Sequence, residues 1–205
     1  MFYSLLAIRC SHRIMSETED ITEEVPQKKP FSWGSAAVWV AVISLLALLG
    51  FGLLKSTETR PEAGEVAPNL DLQFFDGYEW EGRESATLEE MRGNVVILNF
   101  WSSWCVECRI EARDMEASWK KYEDDGVIYL GIAHVDVEPR SIEYLEEFGI
   151  TYPNAPDLGG DGAEEYEITG VPETFIIDQE GIIRHVQLGP MSAAQLDAII
   201  RSLIK

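Results

Sequence analysis

The first long apolar stretch in the chain runs from Gly34 to Leu54, 21 residues without a charge. At about 1.5 Å of helical rise per residue it matches the roughly 30 Å hydrocarbon core of a bilayer. Trp33 and Trp39 lie near its N-terminal end, where interface anchors belong. No Ala-x-Ala follows it, and no cysteine stands where a lipoprotein needs one. The expectation is therefore an uncleaved signal-anchor helix rather than a cleaved signal peptide. Lys28 and Lys29 before it nearly balance Lys55 and Arg60 after it, and the count tilts toward an N-terminus inside only if Arg9 and Arg13 belong to the protein.

After a polar linker, 55–65, the period changes. Leu70, Leu72 and Phe74 alternate with polar residues and predict a strand. Asp76-Gly77 is a turn, and Tyr78 to Glu81 is expected to return as the second strand of a hairpin. Thr87-Leu-Glu-Glu90 has capping-box spacing and opens a short helix that stops at Gly93. The apolar run Val95 to Phe100, continued by Trp101, predicts a buried strand, and Arg109 to Tyr122 reads as a helix. Val127 to Ala133 is another strand; Pro139 opens a helix that Gly149 stops. Asp161 to Tyr166 is a short helix. Thr174–Asp178 and Ile182–Leu188 form a hairpin around Gln179-Glu180-Gly181. Ser192-x-x-Gln195 caps a last helix with a stripe of Leu196, Ile199, Ile200 and Leu203. A β-α-β unit requires parallel strands and a crossover helix, and a closing hairpin adds antiparallel ones. The expected fold is α/β, a mixed central sheet with helices on both faces and an N-terminal hairpin.

Charge sharpens this division. The net charge of −20 excludes nucleic acid as a partner, because phosphate needs Lys and Arg opposite it. Residues 1–33 hold five acids and four bases, 34–54 hold none, and 55–205 hold 31 acids and 12 bases. The polar tail from Ser16 to Pro30 lacks apolar periodicity and is expected to be disordered. Residues 1–14 differ in character from this acidic tail, so Met15 is expected to be the natural start, which would leave Cys10 without a role. Four parts result: a tail, 1–33; a membrane helix, 34–54; a linker, 55–65; and a folded domain, 66–205.

The chemistry lies in Trp104-Cys105-Val106-Glu107-Cys108. A strand that delivers a cysteine to the start of a helix makes that thiol acidic, because the helix N-terminus carries partial positive charge and unpaired N–H groups. Three cysteines are too few for a disulfide scaffold. A zinc site would need about four ligands, and His12, His134 and His185 are not spaced for one. Arg109 after Cys108 excludes a c-type haem attachment motif. A redox dithiol is favoured, and an exposed one belongs outside the cytosol.

With Gly170-Val171-Pro172-Glu173-Thr174-Phe175 some 65 residues on, the pattern resembles the thioredoxin fold. More narrowly, 66–205 resembles membrane-anchored thiol–disulfide oxidoreductases of the TlpA/ResA/DsbE type, which reduce disulfides outside the cytosol, chiefly in cytochrome c maturation. Pro172 to Arg184, Pro-Glu-Thr-Phe-Ile-Ile-Asp-Gln-Glu-Gly-Ile-Ile-Arg, resembles that branch. The resemblance implies that Cys105 is the exposed nucleophile, Cys108 the buried resolving thiol, and Pro172 a cis-proline facing them. It leaves the Val171 backbone to pair with substrate, puts the acid Glu111 near the dithiol, and sets Glu173 beside the site. Trp104 is expected to cover the dithiol, and Trp101 to be core. Glu107 inside the motif opposes a thiolate and makes the couple more reducing. Asn99 stands where thioredoxin carries a buried Asp, so Glu111 is the better proton carrier. The motif's Val-Glu middle lacks the proline of most relatives.

The expected activity is reduction of disulfides in exported proteins, apocytochrome c among them, with re-reduction by a membrane thiol donor and no cofactor. Two alternatives use the same cysteines: a general oxidase or isomerase of exported proteins, and a copper(I)-binding module. A peroxide-reducing role lacks the Pro-x-x-x-Thr-x-x-Cys setting it would need.

Overall fold

The computed structural model describes residues 33–55 and 60–204. Most of the tail, Cys10, Met15 and the linker residues 56–59 lie outside the described residues. The chain divides into two units, Met1–Ser56 and Thr57–Lys205. In the first, α1 runs from Trp33 to Lys55. Among the described residues no helix is long and apolar enough to cross a membrane. Side chains along α1 are described without a break only from Ala37 to Phe51, a shorter stretch than the uncharged 34–54 of the sequence.

The second unit is built on a five-stranded mixed sheet. Its strands are β3 (Val95–Trp101), β4 (Val127–His134), β5 (Asn154–Asp157), β6 (Glu173–Ile177) and β7 (Ile183–Leu188). Their order is β5-β4-β3-β6-β7. The β3–β4 and β4–β5 pairs are parallel, and β3–β6 and β6–β7 are antiparallel. Every residue of β3 is buried, as expected of a central strand covered on both faces. One face packs Ile97, Trp101 and Tyr129 against α2 (Val106–Tyr122), α3 (Glu138–Phe148) and α5 (Ala193–Leu203). The other packs Leu98, Phe100 and Phe175 under the N-terminal hairpin, a 3₁₀ turn at Leu88–Met91 and the short α4 (Asp161–Glu165). Both capping boxes form: Thr87 and Ser192 accept from the N–H groups of Glu90 and Gln195. Gly149 closes α3 at φ 66°, a left-handed conformation that glycine adopts without a Cβ penalty.

Three expectations are corrected. The hairpin pairs β1 (Asp71–Gln73) with β2 (Ser85–Thr87), not with 78–81. The chain turns twice first, Glu81 at φ 54° breaks any extension, and the pairing within 78–83 is one isolated bridge between Trp80 and Arg83. Strand β5 is an addition: its Pro156 is tolerated because β5 is an edge strand. Finally, the end of the linker is part of the folded unit. Gly64 N–H donates to the Ile183 carbonyl, Ile183 N–H donates to that of Glu65, and Val66 bridges Ile182.

Candidate active site

The site sits where β3 ends and α2 begins, at the C-terminal edge of the parallel strands. The Trp101-Ser102-Ser103-Trp104 turn is pinned to the end of β4 and the loop after it. Ser102 Oγ donates to the His134 carbonyl (2.6 Å), and Ser103 donates to buried Asp136 through both its N–H (2.6 Å) and its hydroxyl (3.0 Å). Asp136 has no signature in the sequence, yet it fixes the turn that presents Cys105.

Cys105 is the N-cap of α2, which begins at Val106 and not at Arg109. Its sulfur accepts the Cys108 N–H at 3.0 Å, so an unpaired donor of the helix start is aimed at the nucleophile position. Cys105 and Cys108 are joined as a disulfide. In that state Cys105, expected to be the exposed thiol, is only 3% exposed, and Cys108 is fully buried. The Cys105 sulfur is turned inward onto its partner and lies 3.4 Å from the Val171 carbonyl oxygen. The Val171–Pro172 peptide bond is cis, and it sets Val171 against the dithiol. The Pro172 carbonyl accepts from Gly189 N–H. Among the described residues the Val171 N–H has no backbone partner.

Glu111 lies one turn after Cys108, on the buried face of α2 with Cys108, Ala112 and Met115. It is 2% exposed, not a solvated helix charge. Oε2 accepts the Met191 N–H (2.8 Å), and Oε1 accepts from Asn99 Nδ2 (2.9 Å). Burial pushes its carboxyl up to about 7, against the opposing pull of those two donors. The folded chain therefore holds a proton there that the unfolded chain releases near the ordinary value of 4.5. Stability from this group falls as pH rises from 4.5 to about 7 and is flat above. We expect urea midpoints of the wild type minus those of Glu111→Gln to decline between about pH 5 and about pH 8, by an equivalent of about 3 kcal/mol. A parallel pair of curves would contradict the burial.

Glu173 goes elsewhere. It follows Pro172, but strand side chains alternate, and Thr174 is the one paired with Asn99 on the α2 face. The Glu173 carboxylate is buried on the opposite face, in an ion pair with Arg60, whose guanidinium also lies 5.7 Å from the Phe175 ring centroid. The structure therefore does not bring Glu173 together with Glu111. Trp104 is exposed, its indole N–H 3.4 Å from the Val135 carbonyl, and Glu107 is exposed beside it. Trp101 is core, stacked on Tyr144 at 4.4 Å, and Tyr144 donates its hydroxyl to the Cys108 carbonyl (2.9 Å). That tie to the active-site helix was not foreseeable from spacing. His134 lies 3.5 Å from Asp157. Among the described residues no three His, Cys, Asp or Glu side chains cluster to hold a metal ion.

Residues 63–186 match the AhpC/TSA family. The chain is 30% identical over 154 residues to the thiol:disulfide interchange protein DsbE of Allochromatium vinosum, covering 74% of this chain and 81% of that protein. It is 26% identical over 167 residues to the thiol-disulfide oxidoreductase ResA of Bacillus cereus, covering 80% and 93%. Among solved structures it resembles a thiol:disulfide interchange protein DsbE of Chlorobium tepidum, with a TM-score of 0.62 and 25% identity over 70% of this chain and 99% of that one.

Proposed function

From a chain that belongs to the AhpC/TSA family and is a thiol–disulfide oxidoreductase of the ResA and DsbE type, we propose an extracytoplasmic reductant of disulfides in exported proteins, acting in cytochrome c maturation. Cys105 as thiolate attacks the substrate disulfide, one substrate thiol leaves, and a mixed disulfide forms. Cys108 then gives up its proton and attacks Cys105, and the second substrate thiol leaves. Two electrons pass to the substrate, and the Cys105–Cys108 disulfide remains. A membrane thiol donor returns the pair to the dithiol. Pro172 and Val171 present backbone to the substrate strand, Trp104 offers it an exposed aromatic face, and Glu111 receives the Cys108 proton.

The observation that carries this reading is the buried Glu111 one helical turn from Cys108. A carboxylate there disfavours a second negative charge on sulfur, keeps the resolving cysteine protonated until it is needed, and makes the dithiol hold its electrons weakly. The uncharged run at 34–54 supports a membrane anchor, and a dithiol that works on exported proteins supports an N-in orientation with the domain outside the cytosol. A redox titration of the Cys105–Cys108 pair against glutathione tests the direction of flow. The expected midpoint lies below about −230 mV, and one well above about −200 mV would assign a general oxidase instead.

A further inference from the structure

Glu111 is held asymmetrically. Oε2 faces the backbone N–H of Met191, which only donates. Oε1 faces Asn99 Nδ2 at 2.9 Å, and the other hydrogen of that amide points to Thr174 Oγ1 at 3.0 Å. All three side chains are buried, with Asn99 and Thr174 directly opposed across β3 and β6. A proton arriving on Glu111 has to settle on Oε1, because Oε2 already meets a donor that does not reverse. On the lone pair that Asn99 fills, it would collide with the Asn99 N–H. An amide carries donor and acceptor at nearly the same shape, and a hydroxyl serves as either.

We propose that Asn99 turns by half a revolution about its Cβ–Cγ bond as Glu111 gains and loses its proton, with Thr174 as the hydroxyl that follows it. With Glu111 ionised, Asn99 Nδ2 donates to Oε1 and to Thr174. With Glu111 protonated, Asn99 Oδ1 accepts from the Oε1 hydroxyl and from the Thr174 hydroxyl. Both states then keep the Glu111 carboxyl and the Thr174 hydroxyl paired with Asn99, which removes the penalty an unpaired carboxyl or hydroxyl would impose on each transfer. In the exchange step the Cys108 proton moves to Glu111 Oε1 while the Cys108 sulfur forms its bond to Cys105. The departing substrate thiolate takes a proton from water. Asn99 is thus a positioning residue for the proton carrier. An Asp in its place would be unable to donate when ionised, and it would contest the same proton. The other titratable groups facing Glu111 are Cys108 on its own helix and the phenols of Tyr144 and Tyr152, both held protonated, chiefly by burial. No charged side chain reaches it from β3 or β6 among the described residues.

The inference rests on the reductase reading for its purpose but not for its test. The full chain in detergent, with nitrogen-15 in its asparagine side chains (Asn69, Asn94, Asn99 and Asn154), is followed by NMR across the Glu111 titration. The titration itself is read from the infrared carbonyl band that Glu111→Gln removes. The Asn99 amide protons are expected to shift with the same midpoint and to lose their contact with the Glu111 side chain below it. Asn99 signals that keep this contact on both sides of the titration overturn the proposal. Asn99→Leu, which deletes the partner of both states, is expected to move the Glu111 midpoint by less than about one pH unit, a factor of ten. A larger rise marks Asn99 as a fixed donor to the carboxylate and also overturns it. If Asn99→Leu does not fold, the wild-type titration decides alone. An amide that turns in a chain unable to reduce insulin disulfides would sink the reductase reading and leave this one standing.

Discussion

Replacing Cys105 by Ser is expected to lower disulfide reduction at least about a thousandfold, to the uncatalysed exchange rate, because the nucleophile itself is gone. Insulin turbidity with dithiothreitol as electron donor measures it. The matching substitution Cys108→Ser has a different signature. Cys105 keeps its place at the N-terminus of α2, where the residue-108 N–H points at its sulfur. It still attacks, but nothing resolves the product, so a mixed disulfide with substrate accumulates and shows as a shifted band on a non-reducing gel. A Cys105→Ser chain that retains activity, or a Cys108→Ser chain that traps nothing, would contradict the assigned order of attack.

The largest effect on stability is expected at Gly131→Ala. Gly131 lies in β4 between Asn99 and Asn154, its partners on β3 and β5. A Cβ there would stand 1.9 Å from Asn154 Oδ1 and 2.8 Å from Trp101 Nε1. Neither atom is free to move. Trp101 Nε1 donates to Asn154 Oδ1 at 2.9 Å, and Asn154 Nδ2 donates to the Tyr152 carbonyl at 2.9 Å. The alanine therefore overpacks a buried strand and breaks a buried hydrogen bond at once. Together these cost about 4 kcal/mol, a fall of roughly 8–16 °C in Tm for a chain of this size. Calorimetry on the purified variant checks it, and a Tm within a few degrees of wild type would mean that β5 is not seated as described.

Legibility in the sequence followed the range of the interaction. The run Val95–Trp101, the capping boxes at Thr87 and Ser192 and the cysteine at a helix start are all local patterns, and each was readable from residues within a turn or two. Strand β5 was not, because Asn154-Ala-Pro-Asp157 has no β-branched residue and is extended only through its pairing with β4. Nor was β2, three residues long and fixed by β1. Within the site the cysteine pair announced itself. Glu111 was visible as an acid on the right helical face, but its burial depends on Met191, 80 residues away, whose contribution is a backbone N–H that no side chain advertises. For Glu173, nearness to Pro172 in sequence said nothing about direction. Its parity relative to Thr174 sends the carboxylate through to the other side of the sheet.

Arg60 gives that buried carboxylate its only charged partner among the described residues, and it comes from the stretch that composition assigns to a linker. A fragment cut at residue 66, where the sequence places the start of the folded domain, would delete the guanidinium and keep Glu173. It would also strip the backbone bonds that Gly64 and Glu65 make to Ile183 at the edge of the sheet. Buffer cations would be a poor substitute for a group held inside the protein. A fragment opened at Thr57, where the second unit starts, carries its own counter-ion with it. For this protein the choice of first residue in an expression plasmid is thus an electrostatic decision as much as a matter of tidy domain borders.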